Sequence, residues 1–360
     1  MKTKISILLL SVSLHYTLSS QDFHFSQFNE NPSLLNPALT GASNAMRASL
    51  VYKDQWRSIT TPYTSYGFSF EAKIKAKNWE QTDPKRSMTF KKSSSRMAAG
   101  LSVYNDKAGD GRLGTFQTNL SFAMAFPISK LSSITFGVQG SLVQRKVDNS
   151  KLIYSSQYSG TGYDASLPSG EANSQNSKLN GDMGAGLLWS YGQNEKSIAA
   201  NNQFKALVGF SAYHLTRPTQ SFIGGINDRL YMKYVFHGNV LIGIPQTNLA
   251  IVPSWLMQFQ GPQKEIIAGM MFKYFINEDS KYTGIKKKSA FGLGAYYRNG
   301  DAIIATALVE MGRVAVGFSY DINVSQLTTV STARGGVEFT LRFVTPSPFL
   351  YQNRSKGMFN

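Results

Sequence analysis

Hydrophobic and polar residues alternate along most of the chain after residue 43. In the last such stretch, Val337, Phe339, Leu341 and Phe343 share one side, and the residues between them are polar or small. The same alternation recurs in "YGFSFEAKI" and in "SITFGVQGSL". A period of two places successive side chains on opposite faces of a β-strand. The pattern therefore predicts a chain of β-strands, each with one apolar face.

The alternating stretches number about fourteen between residues 44 and 345. Many reach the ~9–11 residues that a membrane-spanning strand needs, and an even number is typical of bacterial outer-membrane barrels. Strand length argues against the alternative, a soluble β-sandwich. The predicted strands are 44–56, 62–76, 96–106, 113–126, 132–148, 181–191, 203–216, 229–244, 247–259, 264–276, 289–299, 301–311, 313–325 and 333–345.

The composition favours a membrane protein that crosses with strands. Charged residues make up 16% of the chain and aromatic residues 12%, whereas soluble domains average about 25% charged. After the first twenty residues no apolar run is long enough for a membrane helix. We therefore predict an all-β fold, a transmembrane antiparallel β-barrel over residues 44–345, followed by a tail over 346–360.

The first twenty residues predict a secretory signal peptide. Lys2 and Lys4 form a basic start, an apolar run follows, and small residues precede Gln21. The apolar run is shorter than a membrane helix requires. An exported chain with this composition is expected in the outer membrane of a Gram-negative bacterium. The chain has no cysteine, which excludes disulfides, thiolate metal sites and cysteine nucleophiles.

The formal net charge of +16 suggests an anionic neighbour, and export makes nucleic acid an improbable one. Placing both ends of the barrel chain in the periplasm puts short turns there and the long 150–180 connection outside, as expected for barrels. Two longer connections, 78–95 and 277–288, then also face the periplasm. We expect an acidic periplasmic partner or the cell-wall polymer to contact their basic residues, which are Lys85, Arg86, Lys91, Lys92, Lys286, Lys287 and Lys288.

Residues 21–43 fit no periodicity and form a candidate N-terminal plug or docking segment. The stretch "QDFHFSQFNENPSLLNPALTG" is aromatic and polar, and its two prolines bar a regular helix or central strand. So much apolar surface requires burial, either in the barrel lumen or on a partner. Because the segment precedes the first strand, we expect it at the end where that strand begins. Its candidate residues are Phe23, His24, Phe25, Ser26, Gln27, Phe28, Asn31, Pro32, Asn36 and Pro37.

The polar faces of the strands carry charged residues that would point into the lumen. They could form interior ion pairs, such as Glu338 with Arg342 across neighbouring strands, or line a conduit for an anionic solute. The set comprises Arg47, Lys53, Glu71, Lys73, Arg145, Lys233, His237, Arg298, Glu310, Asp321, Arg334, Glu338 and Arg342.

No motif predicts catalysis, a cofactor or a metal. "GDGRLG" matches G-x-G-x-x-G, but a strand follows it rather than the helix that dinucleotide binding needs. A hairpin turn explains its Asp and Gly residues more simply than calcium binding does. His24, His214 and His237 lack the spacing of a zinc site, and no G-x-S-x-G nucleophile elbow is present.

The opening stretch resembles the start of mature PorP/SprF-family proteins, the outer-membrane proteins of the type IX secretion and gliding machinery. Further similar motifs follow in order: "YKDQWRSI", "DKAGDGRLG", "YHLTRPTQSF", "HGNV", "PSWLMQFQ" and "FSYDINVSQL". The chain departs from the family at Phe23, where proline is frequent, and in its longer C-terminal tail.

The resemblance implies a non-enzymatic protein that supports secretion or surface retention of large adhesins. The implied partners are a secreted adhesin with a C-terminal sorting domain and periplasmic ring or peptidoglycan-linked components of the machinery. The alternative function is an outer-membrane channel for diffusion or uptake of small solutes.

Overall fold

A computed structural model of the chain describes residues 22–42, 44–57, 61–74, 96–109, 111–129, 131–148, 152–170, 177–193, 201, 203–222, 228–277, 289–325, 328 and 333–345. The predicted leader, the basic residues of the connections 78–95 and 277–288, and the tail 346–360 lie outside these ranges. The strands are β1 (Met46–Gln55), β2 (Tyr63–Ile74), β3 (Arg96–Ala108), β4 (Leu113–Pro127), β5 (Ser132–Lys146), β6 (Ser177–Gln193), β7 (Phe204–Tyr213), β8 (Lys233–Gly243), β9 (Leu249–Gln260), β10 (Gln263–Asn277), β11 (Ser289–Arg298), β12 (Ala302–Met311), β13 (Val314–Asn323) and β14 (Arg334–Thr345).

The fourteen strands form one closed antiparallel barrel in chain order, as the alternation predicts. β1 closes the barrel against β14, and the register places Leu50 opposite Leu341. Closure pairs every strand on both sides and so removes free sheet edges, which is necessary for a barrel surrounded by lipid. We call the end where β1 begins, at Met46, the lower end. The upper end is where β1 finishes, at Gln55.

The two faces of the barrel wall differ in polarity, in keeping with the predicted alternation. Apolar side chains cover the outside, where Leu50 is 51% and Leu341 is 45% exposed to solvent in the isolated barrel. Burying such side chains in hydrocarbon favours insertion by roughly 25 cal/mol per Å² of apolar surface. Further outward residues are Phe68, Leu120, Phe122, Leu142, Phe272, Leu293, Phe339 and Phe343.

The observed strand bounds differ from the predicted ones by a few residues. The sixth strand extends to Ser177–Gln193 rather than 181–191. The eighth, Lys233–Gly243, is shorter than the predicted 229–244. Ends of strands carry less periodic information than their centres, and boundaries predicted from a single sequence are uncertain by ~2–4 residues.

The prediction that Arg334 points into the lumen is wrong. The β13–β14 register shifts between Asp321 and Ile322, so that Arg334 lies opposite Ile322 on the outer face. Residues directly opposite each other share a face, and a bulge moves the following side chains to the other one. Arg334 is accordingly exposed, and the remaining charged residues of the predicted lumen set lie on the inward face.

The N-terminal segment, described over Asp22–Ala42, folds as three short helical turns before β1. A 3₁₀ turn spans Phe28–Glu30, a single α-helical turn spans Pro32–Leu35, and a second 3₁₀ turn spans Pro37–Leu39. Both later turns begin at a proline, whose fixed φ suits the first helical position. The Asn36 side chain caps the last turn by accepting a hydrogen bond from the Ala38 amide.

The expectation that this segment stays at the end where β1 begins is wrong. Gly41 lies near that lower end, with its amide 2.6 Å from the Glu71 carboxylate. Asp22 lies near the upper end, with its carboxylate 2.7 Å from His214 just after β7. The segment therefore extends along the barrel from one end region to the other. Among the described residues, no helix is long and apolar enough to cross a membrane.

Candidate functional site

Two backbone amides of the N-terminal segment bind one carboxylate of the barrel wall. The amide of Ser26 lies 2.7 Å from one Glu338 oxygen, and the amide of Gln27 lies 3.0 Å from the other. The Gln27 side chain also donates to the Glu338 carbonyl and accepts from the Thr340 hydroxyl. Each such hydrogen bond contributes about 0.5–1.5 kcal/mol, and together they hold this part of the segment against β14.

Arg298 joins the same part of the segment to neighbouring strands. Its guanidinium donates to the Ser26 hydroxyl at 2.9 Å and pairs with Asp321 at 3.1 Å and with Glu265 at 3.1 Å. The Ser26 hydroxyl in turn donates to Asp321 at 2.7 Å. The planar fork of an arginine can bind several oxygens at once, and here it connects β10, β11 and β13 to one serine.

Glu30 is a second ionic anchor and was not predicted. Its carboxylate lies 2.8 Å from Arg342 of β14 and 3.3 Å from Arg47 of β1. Arg342 also pairs with Glu310 at 2.6 Å. The prediction that Glu338 pairs with Arg342 is wrong. The two carboxylates that pair with Arg342 belong to Glu30 and Glu310. The Glu338 carboxylate instead accepts hydrogen bonds from two backbone amides of the N-terminal segment. The inward charges thus bind the segment as well as each other.

Asn36 and two wall glycines fix the middle of the segment. Asn36 is fully buried, and its side-chain amide donates to the carbonyls of Leu187 and Phe210 on adjacent strands. A Cβ built at Gly186 would overlap the Asn36 side chain, and one at Gly137 would overlap the backbone around Ala38. Glycine permits such close approach because it lacks a side chain.

Apolar contacts also bind the N-terminal segment to the barrel wall. Phe28 and Leu35 are about 5% exposed and pack in one cluster with apolar residues of the wall. The wall residues of this cluster are Tyr213, Val235, Leu256, Ile267, Tyr296 and Ile304. These inward apolar residues of β7–β12 were not predicted, because strands such as "LAIVPSWLMQFQ" are apolar on both faces. Fully burying a side chain of this size is worth about 1.5–3 kcal/mol.

A smaller aromatic cluster lies against the first three strands. Phe25 and Tyr104 are almost fully buried, and Phe23 packs at the edge of the cluster. The rings of Phe23 and Phe25 each lie about 6 Å from that of Tyr104. The Tyr104 hydroxyl is 2.6 Å from the Ser33 hydroxyl. The aromatic residues predicted to need burial therefore pack against the inner surface of the wall.

Asp22, His214 and Asp182 form a charged triad at the upper end. Asp22 lies 2.7 Å from Nε2 and Asp182 lies 2.5 Å from Nδ1 of His214. Burial alone would lower the pKa of His214, but the two carboxylates outweigh it and raise the pKa to about 9. Burial would raise the pKa of Asp22, yet the charges of His214 and Lys233 hold that pKa below its usual range. At neutral pH an imidazolium therefore links the segment to β6.

A chamber of about 310 Å³ lies at the upper end of the barrel interior, beside β1–β7. We refer to it as the upper chamber. The N-terminal segment supplies part of its lining through its first described residues, and from there the segment runs toward the lower end. Lining residues include Asp22, Phe23, His24, Gln55, Trp56, Tyr63, Arg145, Asn180, His214 and Gln220.

Two residues that line the upper chamber have unusual backbone conformations. Trp56 has a φ of 57° and His214 a φ of 58°, both in the left-handed region. This region costs an L residue roughly 1–2 kcal/mol. The Trp56 ring lies 4.9 Å from that of Tyr63, and the Trp56 amide donates to the Gly335 carbonyl at 2.9 Å. The surrounding contacts hold a large indole at the chamber wall.

The motifs weighed for chemistry have structural roles. The "GDGRLG" stretch connects β3 to β4, and the Arg112 amide closes the turn on the Gly109 carbonyl at 3.0 Å. His214 lies in the charged triad, and His237 contacts the Asn36 side-chain amide at 3.0 Å. Among the described residues, no group of three or more His, Cys, Asp or Glu side chains is arranged to hold a metal ion.

All ten candidate residues of the N-terminal segment are buried or half-buried, and all lie in the stretch that contacts the wall. Sequence reasoning missed Asp22 and Glu30, the two acids that anchor the segment. Both are acidic residues in an otherwise uncharged aromatic stretch, and this contrast could have identified them as anchors from the sequence. The seven basic residues of the connections 78–95 and 277–288 fall outside the described ranges.

Solved outer-membrane barrels are similar to this chain at low identity. They include BamA from Haemophilus ducreyi lacking POTRA domains 1–3, at 10% identity and a TM-score of 0.40 over 84% of this chain and 70% of that chain. CdiB from Acinetobacter baumannii has 7% identity and a TM-score of 0.39, over 84% and 60%. The β domain of the Bordetella autotransporter Brka has 10% identity and a TM-score of 0.34, over 84% and 100%. Such distant likenesses say nothing about function.

No curated protein matches the chain. A family sequence model does match, over residues 17–343, which covers the N-terminal segment and the barrel almost to the end of β14. That range contains the anchors Ser26 and Glu30 as well as their wall partners Glu338 and Arg342. The closed barrel and this match together place the protein in the outer membrane of a Gram-negative bacterium. The chain belongs to the PorP/SprF family of type IX secretion system membrane proteins.

Proposed function

We propose that the protein serves type IX secretion as a closed outer-membrane barrel that binds other proteins. In this role it supports secretion or surface retention of a large adhesin with a C-terminal sorting domain. On its periplasmic side it contacts ring or peptidoglycan-linked components of the machinery. We place both ends of the barrel chain in the periplasm, so the upper end faces outward.

The observation that best supports this role is that the N-terminal segment occupies the interior of the barrel. The segment Asp22–Ala42 contacts inward residues on β1, β4, β6–β8, β11, β13 and β14, through both ionic and apolar contacts. Several independent contacts would have to break together before an aqueous path opened. An interior arranged in this way favours an interaction barrel over the alternative, a diffusion channel for small solutes.

We assign the proposed periplasmic contacts to the basic residues of the connections 78–95 and 277–288. Lys85, Arg86, Lys91, Lys92 and Lys286–Lys288 would lie on the periplasmic side in this orientation. Exposed charges of this kind mainly speed and orient encounter, and their effect weakens with salt. We propose an acidic partner or the anionic cell-wall polymer at these positions.

The proposal is tested by reversing the charge of Lys286–Lys288 to Glu in the native bacterium. The barrel should still insert, since its wall is unchanged. Copurification of periplasmic machine components should fall, and surface adhesin should fall with it. The matched control replaces the same three residues with Arg, which keeps the charge. Unchanged copurification and adhesin display in the Glu variant, or an equal loss in the Arg variant, would contradict the role of charge here.

A second measurement tests the orientation. The chain has no cysteine, so a single Cys at Lys287 can be labelled uniquely. An impermeant maleimide added to intact cells should not react with it. Reaction there would place the connection outside and invert the topology.

A further inference from the structure

Four cations lie on the outer face of the barrel at its upper end. Lys107 of β3 lies opposite Gly114 of β4, and Gly114 lies opposite Lys146 of β5, so the two lysines share one row of the wall. Both are exposed, and we call them the lysine pair. Lys264 of β10 and Arg334 of β14 are further exposed cations on the outer face at this end.

The lower end of the outer face differs in composition. The outward residues that lie near the lower ends of the strands are apolar, as at Met46, Phe126, Met311 and Phe343, and each is at least 40% exposed in the isolated barrel. Basic residues are attracted to a leaflet with an anionic surface. The difference between the two ends therefore points to a more anionic leaflet around the upper end.

The outward residues of β3, β4 and β5 change in character from the upper end toward the middle of the wall. The first row contains the lysine pair. The second row contains the side-chain amides of Asn105 and Gln144, with Phe116 between them. An amphipathic molecule whose charged group lies at the lysine pair would meet these amides next and then an apolar surface. The third and fourth rows, which are mainly apolar, consist of Val103, Thr118, Leu142, Leu101, Leu120 and Gly140.

The lysine pair has no ionic partner among the residues that the structure describes. Neighbouring strands lie ~4.8 Å apart, so the two lysine Cα atoms are about 10 Å apart across β4. Gly114 has no side chain, and nothing from β4 therefore stands between the two lysines in their row. Because lysine stems are long and flexible, both ammonium groups can approach one anion, which each of them attracts.

Lys264 shows what a lone cation on the outer face looks like. Its row contains the aromatic residues Phe259 and Tyr234 on β9 and β8. A single lysine beside aromatic rings is sufficiently explained as an anchor at the membrane surface, with its stem on the apolar wall and its ammonium in water. The wall at β3–β5 differs, because two lysines share one row there and two amides share the next.

We propose that the outer face of β3–β5 binds a lipopolysaccharide molecule of the outer leaflet, with a phosphate of its glycolipid headgroup held by Lys107 and Lys146. Ammonium groups bind phosphate through charge-assisted hydrogen bonds. Asn105 and Gln144 lie at the depth where sugar and amide groups follow the phosphate. The Gln144 amide donates to the Ser177 hydroxyl at 3.0 Å, which leaves its carbonyl oxygen as an acceptor. The apolar rows below suit the acyl chains.

This inference rests on the proposed orientation, in which the upper end faces outward, because lipopolysaccharide occupies the outer leaflet. Binding itself is measured without the secretion machinery. The full-length protein is purified in a neutral detergent and mixed with bisphosphorylated lipid A, which is the lipid anchor of lipopolysaccharide. Parallel samples receive dephosphorylated lipid A or phosphatidylglycerol. Native mass spectrometry then measures the bound lipid as a function of lipid concentration.

Bisphosphorylated lipid A should bind about tenfold or more tightly than the dephosphorylated form, as expected for two cations beside a lipid phosphate. Lys107→Gln/Lys146→Gln should remove most of that preference. Lys107→Arg/Lys146→Arg, which keeps both charges, should retain it. The matched control is Lys264→Gln, which removes a cation from the same face and the same end of the barrel, and it should also retain the preference.

Several results would overturn the proposal. Equal binding of the two forms of lipid A, or an equal loss of preference in Lys264→Gln, would show that the lysine pair does not hold a lipid phosphate. Phosphatidylglycerol that binds as tightly as lipid A would show a site for any anionic lipid. Displacement of lipid A by an equal concentration of inorganic phosphate would show a site for phosphate alone.

The orientation has its own test. Labelling of the single Cys at Lys287 from outside the cell would place the β3–β5 site in the periplasmic leaflet and overturn its assignment to lipopolysaccharide. The lipid-binding results do not affect the copurification and adhesin-display test in cells. Failure of this inference and failure of the proposed function are therefore distinguishable.

Discussion

The Arg342 guanidinium on the last strand lies 2.8 Å from the Glu30 carboxylate in the N-terminal segment, although the two residues are 312 positions apart in the chain. Glu30 also pairs with Arg47, and Arg342 with Glu310. The contact joins the first part of the folded chain to the strand that closes the barrel.

Glu30→Gln should lower the free energy of unfolding by about 3 kcal/mol, because it leaves two half-buried guanidinium groups with less compensating charge. A urea titration of the protein in lipid vesicles measures this. The double variant Glu30→Gln/Arg342→Gln should cost less than the sum of the two single variants, with a coupling of about 0.5–3 kcal/mol. Strict additivity would mean that the ion pair does not exist in the membrane.

Leu341→Arg tests which face of β14 meets lipid. Leu341 lies near the middle of a twelve-residue strand and is 45% exposed on the outside of the barrel. A charge there should cost roughly 2–4 kcal/mol of folding free energy near the bilayer midplane. Leu341→Ala serves as the control for lost packing and should cost less. If the Arg variant folds into vesicles as stably as the Ala variant, the face assignment is inverted.

Because of the charged triad, binding of the N-terminal segment to the barrel wall should depend on pH. The pKa of His214 is raised from 6.5 to about 9, so the stabilisation is complete below pH ~6.5 and is lost as the pH rises through about 9. A nitroxide on a single Cys at His24 reports the mobility of the segment by electron paramagnetic resonance. Its spectrum should sharpen between pH 7 and pH 9.5. His214→Gln should abolish this change, and a pH-independent spectrum in the otherwise unmodified protein would contradict the account.

Two glycines on one strand provide a matched test of how closely the segment approaches the wall. A Cβ at Gly137 would overlap the segment near Ala38, whereas one at Gly140 on the same strand meets nothing within 4 Å. Gly137→Ala should therefore destabilise the protein by about 1–3 kcal/mol through overpacking. Gly140→Ala should stay within about 0.5 kcal/mol of the original. Equal effects in a urea titration would mean that the segment does not lie against β5.

The barrel could be predicted from the sequence because alternation is a local signal. Leu341 and Phe343 can be assigned to the outward face because polar residues alternate with the apolar ones in this strand. Fourteen such stretches define the wall. The bulge that turns Arg334 outward was not predictable, because a register shift depends on the partner strand. The apolar residues Val235 and Leu256 on the inner face were also hidden, since their strands are apolar on both sides.

The position of the N-terminal segment could not be predicted for a different reason. Its need for burial follows from Phe23, Phe25 and Phe28, and its irregular turns follow from its prolines. Its partners, such as Glu338 for Ser26, lie about three hundred residues away, and no periodicity relates them. The basic residues of the two longer connections remain predictions.

The central claim is that the segment Asp22–Ala42 closes the barrel, and single-channel recording in a planar bilayer tests it most directly. The intact protein should show no steady large conductance. Deletion of residues 22–41 should open one, of the size expected for a water-filled fourteen-strand barrel. The variant Gly137→Ala/Gly186→Ala, which keeps the whole chain but crowds the segment at two points, should open intermittently. A steady large conductance in the intact protein, or none in a folded deletion variant, would contradict the claim.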